Sequence, residues 1–288
     1  MIIVRLKGGL GNQLFQYAAA RALALQHGCT LMLDHSDFFV NEANKTPRRF
    51  ALHDFHLSRG VIGKRPQGRT TTKMTSLFCK VLQRAGAILF CEPNLDFQPQ
   101  LAGLRGNVIM DGYFQSHHYF CGIRNVLLQE FTCKASLPDS NRRFLAAIES
   151  GNSVSLHVRR GDYVKNAATA GFHGVSPLEY YRRAVALLQQ QHEHLNFFIF
   201  SDDLPWCRSE FSFLEQKEFV DCNSAETAHF DIFLMNRCRY HIIANSSFSW
   251  WGAWLSDFRK GSVIYPQQWF LGEKVNIESR FPAEWVGV

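Results

Sequence analysis

Short apolar runs alternate along the chain with longer stretches in which apolar residues recur every third or fourth position. That alternation predicts an α/β fold with mainly parallel strands. In the first half, Ile2 to Leu6 reads as a strand and Gly8-Gly9-Leu10-Gly11 as a turn. Asn12 is placed to cap a helix whose buried stripe includes Leu14, Phe15, Tyr17, Ala18, Ala22 and Leu25. Thr30 to Leu33 forms the next strand. From Asp34 to about Arg105 the pattern is irregular and assigns no clear element. Val108 to Met110 is a short strand leading into Asp111-Gly112-Tyr113-Phe114, and a helix follows to about Phe131.

Around Pro138 to Gly151 the pattern resets through a polar linker and a helix from Asn141 to Glu149. A second strand series follows at Val154–Val158, Phe197–Phe200, Phe219–Val220, Tyr240–Ala244 and Val263–Tyr265, with helices between. In Ser176-Pro177-Leu178-Glu179, serine is expected as N-cap, proline at the first helical position and glutamate closing a capping box; the helix runs to about Gln191. Two Rossmann-like halves are expected, residues 1–150 and 151–288.

Composition narrows this picture. The 288 residues are 46% apolar and 19% charged, enough for a sizeable core and unlike a disordered chain. No run reaches the ~18 apolar residues of a membrane-spanning helix. No basic, apolar leader opens the sequence, so no secretory signal is expected. The eight cysteines stand singly without a CxxC pair, which argues against a zinc ribbon and fits reduced thiols in the cytoplasm. Between Phe55 and Cys91 there is no acidic residue, while Arg59, Lys64, Arg65, Arg69, Lys73, Lys80 and Arg84 contribute seven of the basic charges. The formal net charge is +6, so the remainder of the chain carries −1. This local patch reads either as a solvated face or as peripheral contact with anionic headgroups or an anionic substrate. No nucleic-acid motif accompanies it, and no nucleic-acid partner is expected.

Ligands of open parallel sheets bind beyond the carboxyl ends of strands. Three strands of the second half end in polar clusters. In Ser155-Leu156-His157-Val158-Arg159-Arg160-Gly161-Asp162, alternation puts Ser155, His157 and Arg159 on one face and the apolar residues on the other. A histidine and two arginines on a buried strand call for an anion, and an arginine fork grips phosphate oxygens. A structural ion pair is the alternative, above all for Arg160. Ser201-Asp202-Asp203 offers carboxylates that could meet a sugar hydroxyl, guanine or a metal, or simply cap a helix. Asn245-Ser246-Ser247-Phe248-Ser249-Trp250-Trp251 runs into a helix start whose N–H groups and hydroxyls suit phosphate, though Asn and Ser are also ordinary caps. Its tryptophans fit a core better than a sugar platform. In the first half, Gly8-Gly9-Leu10-Gly11-Asn12-Gln13 matches neither a dinucleotide fingerprint nor a P-loop. Its glycines allow a ligand close to the backbone, and Asn12 and Gln13 offer neutral hydrogen bonds. The combination suits sugar transfer from a nucleotide donor to a hydroxyl.

These segments resemble the signatures of the α-1,2-fucosyltransferases. Gly8 to Tyr17, His157 to Tyr163, Phe200 to Asp203 and Asn245 to Trp251 occur in that family's order, with Asp111-Gly112-Tyr113-Phe114-Gln115-Ser116 similar to its mid-chain motif. The resemblance covers about residues 1 to 265 and implies a GT-B-like fold, two Rossmann-like domains facing across a cleft. The first, 1–150, would be the acceptor side, and the second, 151–288, would bind GDP-fucose. Fucose would pass with inversion, and without metal or other cofactor, to the 2-hydroxyl of a terminal galactose on an oligosaccharide. The resemblance places Arg159 on the donor diphosphate and His157 beside the phosphates or guanine. It puts Asp202 near guanine or ribose, and Ser246, Ser247 and Phe248 along the phosphate pocket. Gly9 and Asn12 would approach the donor, and Asn12 and Gln13 the acceptor. Asp162 and His157 are the candidate general bases, with His173 a further one. The chain resembles the short bacterial forms, for which a cytoplasmic location is expected. Fucosyl transfer with another linkage, such as α-1,6, on the same donor site is the alternative, and a non-catalytic carbohydrate or nucleotide-binding module is a third reading.

Overall fold

The computed structural model describes residues 1–39, 48–58, 60–62, 79–161, 174–257, 262–271 and 277–288. The chain divides into two compact units. One spans Met1–Lys134 and takes back a C-terminal stretch ending at Phe281; the other begins at Ala135 and ends with Pro282–Val288.

The first unit holds five strands: β1 (Ile2–Arg5), β2 (Leu31–Asp34), β3 (Gly60–Ile62), β4 (Ile88–Cys91) and β5 (Val108–Asp111). All pair in parallel, in the order β3-β2-β1-β5-β4. The β-branched and aliphatic residues of β1 are completely buried, as expected where both faces of a parallel sheet are covered. Helix α1 (Leu10–Gln26) is rich in alanine and leucine, good helix formers, and buries most of its length. It starts at Leu10 with Gly9 as N-cap, not at Asn12, whose side chain is engaged elsewhere. The region from Asp34 to Arg105, unreadable from periodicity, contributes β3 and β4, the short strands at the two edges of the sheet. The continuous helix expected up to Phe131 is broken. Phe114 adopts a left-handed backbone (φ 52°), 3₁₀ turns occupy His117–Tyr119 and Cys121–Ile123, and only Arg124–Glu130 (α2) is α-helical.

The second unit carries α3 (Asp139–Glu149), β6 (Asn152–Val158), α4 (Leu178–Gln191), β7 (Leu195–Ser201), α5 (Leu204–Glu210) and β8 (Lys217–Phe219). It continues through α6 (Ala228–Arg237), β9 (Tyr240–Ile242), α7 (Ser247–Trp254), β10 (Val263–Tyr265) and β11 (Val286–Gly287). The strands form a parallel sheet in the order β11-β10-β9-β6-β7-β8. Alternation decides its two faces. Val154, Leu156, Val158, Phe197 and Ile199 pack with Tyr181 and Leu188 of α4. Phe198 and Phe200 pack with Phe144 and Ile148 of α3 and Leu234 and Met235 of α6. The packing of α3 here places the divide between units ahead of that helix and not at residue 150.

The capping box expected at Ser176 is not made. Pro177 is the N-cap of α4 with no side-chain cap, and Ser176 Oγ instead donates to Asn245 Oδ1 at 3.2 Å. Of the basic stretch, Arg59, Lys64, Arg65, Arg69 and Lys73 lie outside the described residues; Lys80 and Arg84 are exposed. Among the described residues no helix is long and apolar enough to cross a membrane.

Candidate functional site

In the second sheet the chain leaves β6 toward β7 and β8, then returns to β9 on the other side of β6. Ligand sites of open α/β sheets favour such reversals, because the loops on either side diverge and leave a crevice. The residues that follow β6, β7 and β9 are those of the three polar clusters.

Burial of a histidine favours its neutral form. His157 is 5% exposed, and burial holds its imidazole far below the ordinary value, at about 3, with Arg159 adding to the effect against the pull of Asp202. Its Nδ1 is buried and has no hydrogen-bond partner among the described residues. The ring lies 5.7 Å from that of Phe248. A neutral, under-satisfied imidazole at a strand end is a ready partner for a polar ligand atom.

Arg159 pairs with Asp202 at 2.9 Å. Asp202 also accepts the backbone N–H of Arg160 at 2.8 Å. Arg160 turns the other way, as alternation requires, to pair with Asp203 at 3.1 Å and stack 4.1 Å above the Trp206 ring. Asp203 caps α5 by accepting the Trp206 N–H. The structural ion pair anticipated for Arg160 is thus present, and Arg159 has one too. Gly161 has a specific reason to be glycine: a Cβ there would lie 2.6 Å from Asp202 Oδ2. Asp162 and His173 lie outside the described residues.

Ser246 is the N-cap of α7, its Oγ accepting the Phe248 N–H at 3.3 Å. The ordinary capping role therefore holds, and it leaves the Ser246 hydroxyl proton for another acceptor. Ser247 opens the helix, where first-turn N–H groups have no acceptor within it. Trp250, Trp251 and Trp254 are buried core residues and not a sugar platform. Asn245 fixes the approach to α7 by donating to the carbonyls of Gly174 and Trp269. Two residues missed by sequence reasoning brace the same strand ends from α4. Tyr180 donates to the carbonyls of Ile243 and Ile264, and Tyr181 to that of His157. Tyrosines in a helix stripe read as core, so nothing local announced these bonds.

The first unit has an analogous reversal between β1 and β5. Gly8 (φ 79°) and Gly9 make the turn after β1. Asn12 is half-buried and accepts from Gln115 Nε2 at 2.7 Å. Gln13 departs from the expected acceptor contact. It is completely buried, donates to the carbonyls of Gly8 and Arg49, and accepts the Ala51 N–H. Its amide clamps the turn and offers nothing to a sugar. Asp111 closes β5 between Arg5 (3.0 Å) and Lys7 (2.9 Å). Burial works against its charge, but those hydrogen bonds prevail and lower its pKa. Sequence reasoning also missed Glu92 and Arg280. Glu92, at the end of β4, accepts the N–H groups of Tyr113 and Phe114, and burial raises its pKa. A polar residue ending a strand is a usable signal only once the strand is known. Arg280 is 2% exposed and donates to Gln115 Oε1. Burial lowers its pKa to about 10, opposed by Glu92 and Asp96.

Comparison with known proteins assigns the family. The model of glycosyl transferase family 11 matches residues 93–288. The chain belongs to that family. It is 31% identical to an α-1,2-colitosyltransferase of Escherichia coli, across 100% of this chain and 99% of that protein. It is also 31% identical to the O-antigen biosynthesis glycosyltransferase WbnK of Escherichia coli, across 93% and 94% of the two chains. In fold this family 11 glycosyltransferase is similar to the α-1,6-fucosyltransferase NodZ soaked with GDP-fucose, with a TM-score of 0.50 and 15% identity over 88% of this chain and 92% of that one. A second NodZ structure, from Bradyrhizobium, gives the same TM-score at 14% identity, again over 88% and 92%. The fold class is GT-B-like α/β, built on parallel sheets.

Proposed function

We propose that this glycosyltransferase moves L-fucose from GDP-fucose to the 2-hydroxyl of a terminal galactose on an oligosaccharide, with inversion and without a metal ion. The second unit, from about residue 135, is the donor-binding domain in this reading and the first is the acceptor side. The observation that carries it is the convergence of 157–160, 202–203 and 245–248, far apart in sequence, on one reversal of strand order.

The chemistry follows from these groups. The acceptor oxygen bonds to the fucose anomeric carbon as the bond from that carbon to the β-phosphate oxygen breaks. The electron pair leaves with GDP. Arg159, the Ser246 hydroxyl and the first-turn N–H groups of Ser247 and Phe248's neighbours face the departing charge, an arrangement that stabilises the transition state without a metal. His157 contributes a neutral hydrogen bond. Removal of the acceptor proton falls to one of the candidate general bases, Asp162, His157 or His173.

The 31% identity to an α-1,2-colitosyltransferase supports the linkage, and it also favours a second reading in which the donor carries colitose, the 3-deoxy counterpart of fucose. The test is a donor pair, GDP-fucose and GDP-colitose, each offered with lactose and with chitobiose, the product linkage read by NMR. Fucose on the galactose 2-hydroxyl is expected. Transfer from GDP-colitose alone would install the second reading, and fucose on chitobiose alone would overturn the α-1,2 assignment.

A further inference from the structure

The Asn12 amide has two ends, one an acceptor and one a donor. We infer that Arg280 and Gln115 are positioning residues that hold this amide with its N–H end presented at the glycine turn after β1, where it donates to a substrate oxygen. The inference rests on the proposed reading of that turn as a substrate face.

The orientation follows from what each group can do, independently of how an amide is drawn. A guanidinium donates and never accepts. Arg280, buried beside Glu92, therefore requires the oxygen of Gln115, and Oε1 is the atom it meets. Gln115 is then left with Nε2, a donor, which lies 2.7 Å from Asn12 Oδ1. With its oxygen engaged, Asn12 keeps Nδ2 as its remaining polar end. That nitrogen lies over the turn: a Cβ on Gly8 would sit 2.6 Å from it. One fixed cation thus sets a direction that passes through two neutral amides, and the end of the relay is a donor. Phe114, immediately before Gln115, is held in a left-handed conformation with its N–H on Glu92. Strain of this kind persists where the surroundings over-determine it, as Glu92 and Arg280 do here. The group that such a donor recognises is an oxygen acceptor, either on the donor's sugar or phosphate or on the acceptor sugar.

The experiment is a double-mutant cycle on the full chain, read as kcat/KM with GDP-fucose and lactose. Asn12→Ala is expected to lose about tenfold or more, the scale of one hydrogen bond to substrate. Asn12→Asp keeps an oxygen for Gln115 but has no N–H, so it should lose as much as Asn12→Ala. Gln115→Glu pairs with Arg280 but presents only acceptors to Asn12, which turns the amide over. It should cost about tenfold in the wild-type background and little in the Asn12→Ala background. The KM that rises, for donor or for acceptor, identifies which substrate carries the oxygen. An active Asn12→Asp, or an equal cost of Gln115→Glu in both backgrounds, overturns the relay while leaving Asn12 as a substrate contact. Wild-type turnover by Asn12→Ala overturns the relay and the reading of the turn together, and leaves the Arg159 pocket unaffected.

Discussion

Asp202 holds Arg159 by an ion pair of 2.9 Å through Oδ2 and the Arg160 N–H by a 2.8 Å hydrogen bond through Oδ1. Both carboxylate oxygens are engaged by the end of β6, a geometry that aims a guanidinium. Asp202→Asn is expected to raise the donor KM about tenfold, or ~1.4 kcal/mol, and to leave the ratio of inhibition by GDP and ADP unchanged. Loss of the preference for guanine would show instead that Asp202 reads the base.

The two adjacent arginines should separate cleanly. Arg159→Ala is expected to lose roughly 10² to 10³ in kcat, the scale of removing one charge-stabilising donor. Arg160 pairs with Asp203 and stacks on Trp206, so Arg160→Ala should mainly lower stability, by about 1–2 kcal/mol. Denaturant unfolding and steady-state kinetics on both variants check this; near-wild-type turnover in Arg159→Ala would defeat the pocket assignment.

Gly161→Ala tests the same pair without touching a charge. Its Cβ would lie 2.6 Å from Asp202 Oδ2 and must displace it from Arg159. The expected result is a donor KM raised as in Asp202→Asn, with little further rise in the double variant. Additive effects would mean that Gly161 acts through another neighbour.

Metal independence is open to a direct measurement. Activity is expected to survive incubation with EDTA at millimolar concentration within about twofold, because in the proposed mechanism guanidinium and N–H groups carry the leaving-group charge. Loss of activity restored by a divalent cation would contradict the proposal.

A carboxyl and two imidazoles set opposing pH trends. Burial raises Asp231 from 3.8 to about 7, against a hydrogen bond from Asn223. The folded state therefore binds the extra proton, and its contribution to stability is lost as pH rises from 3.8 through 7. His157 and His241 are both lowered by burial from 6.5 to about 3, so the stability they contribute is lost as pH falls below 6.5. Asp231→Asn keeps a partner for Asn223 and removes the first trend. It should raise Tm by about 2–4 °C at pH 8 and by less at pH 5; an equal rise at both values would exclude titration of Asp231.

Periodicity and strand-end chemistry carried a large part of this protein. The strands at Ile2–Arg5, Val108–Asp111 and Asn152–Val158 were legible because a buried parallel strand must be apolar along its length. An ion pair for Arg160 and a helix cap at one of Asp202 and Asp203 were alternatives the sequence offered, and the structure gives both to Asp203. The edge strand Ile88–Cys91 was not legible, since its own burial is incomplete and it carries no buried apolar run.

What sequence alone determined, then, was the well-buried central strands, several of the helices and the polar residues at the strand ends, for these depend on neighbours a few positions away. Tertiary structure decided which of those residues face a ligand and which are satisfied within the protein. Ser176 meets Asn245 instead of capping its helix, Gln13 turns inward to residues 49 and 51, and Arg280 reaches Gln115 across most of the chain. A buried polar group must find a partner wherever the fold brings one, and proximity in space is a property of the sheet order, not of spacing along the chain.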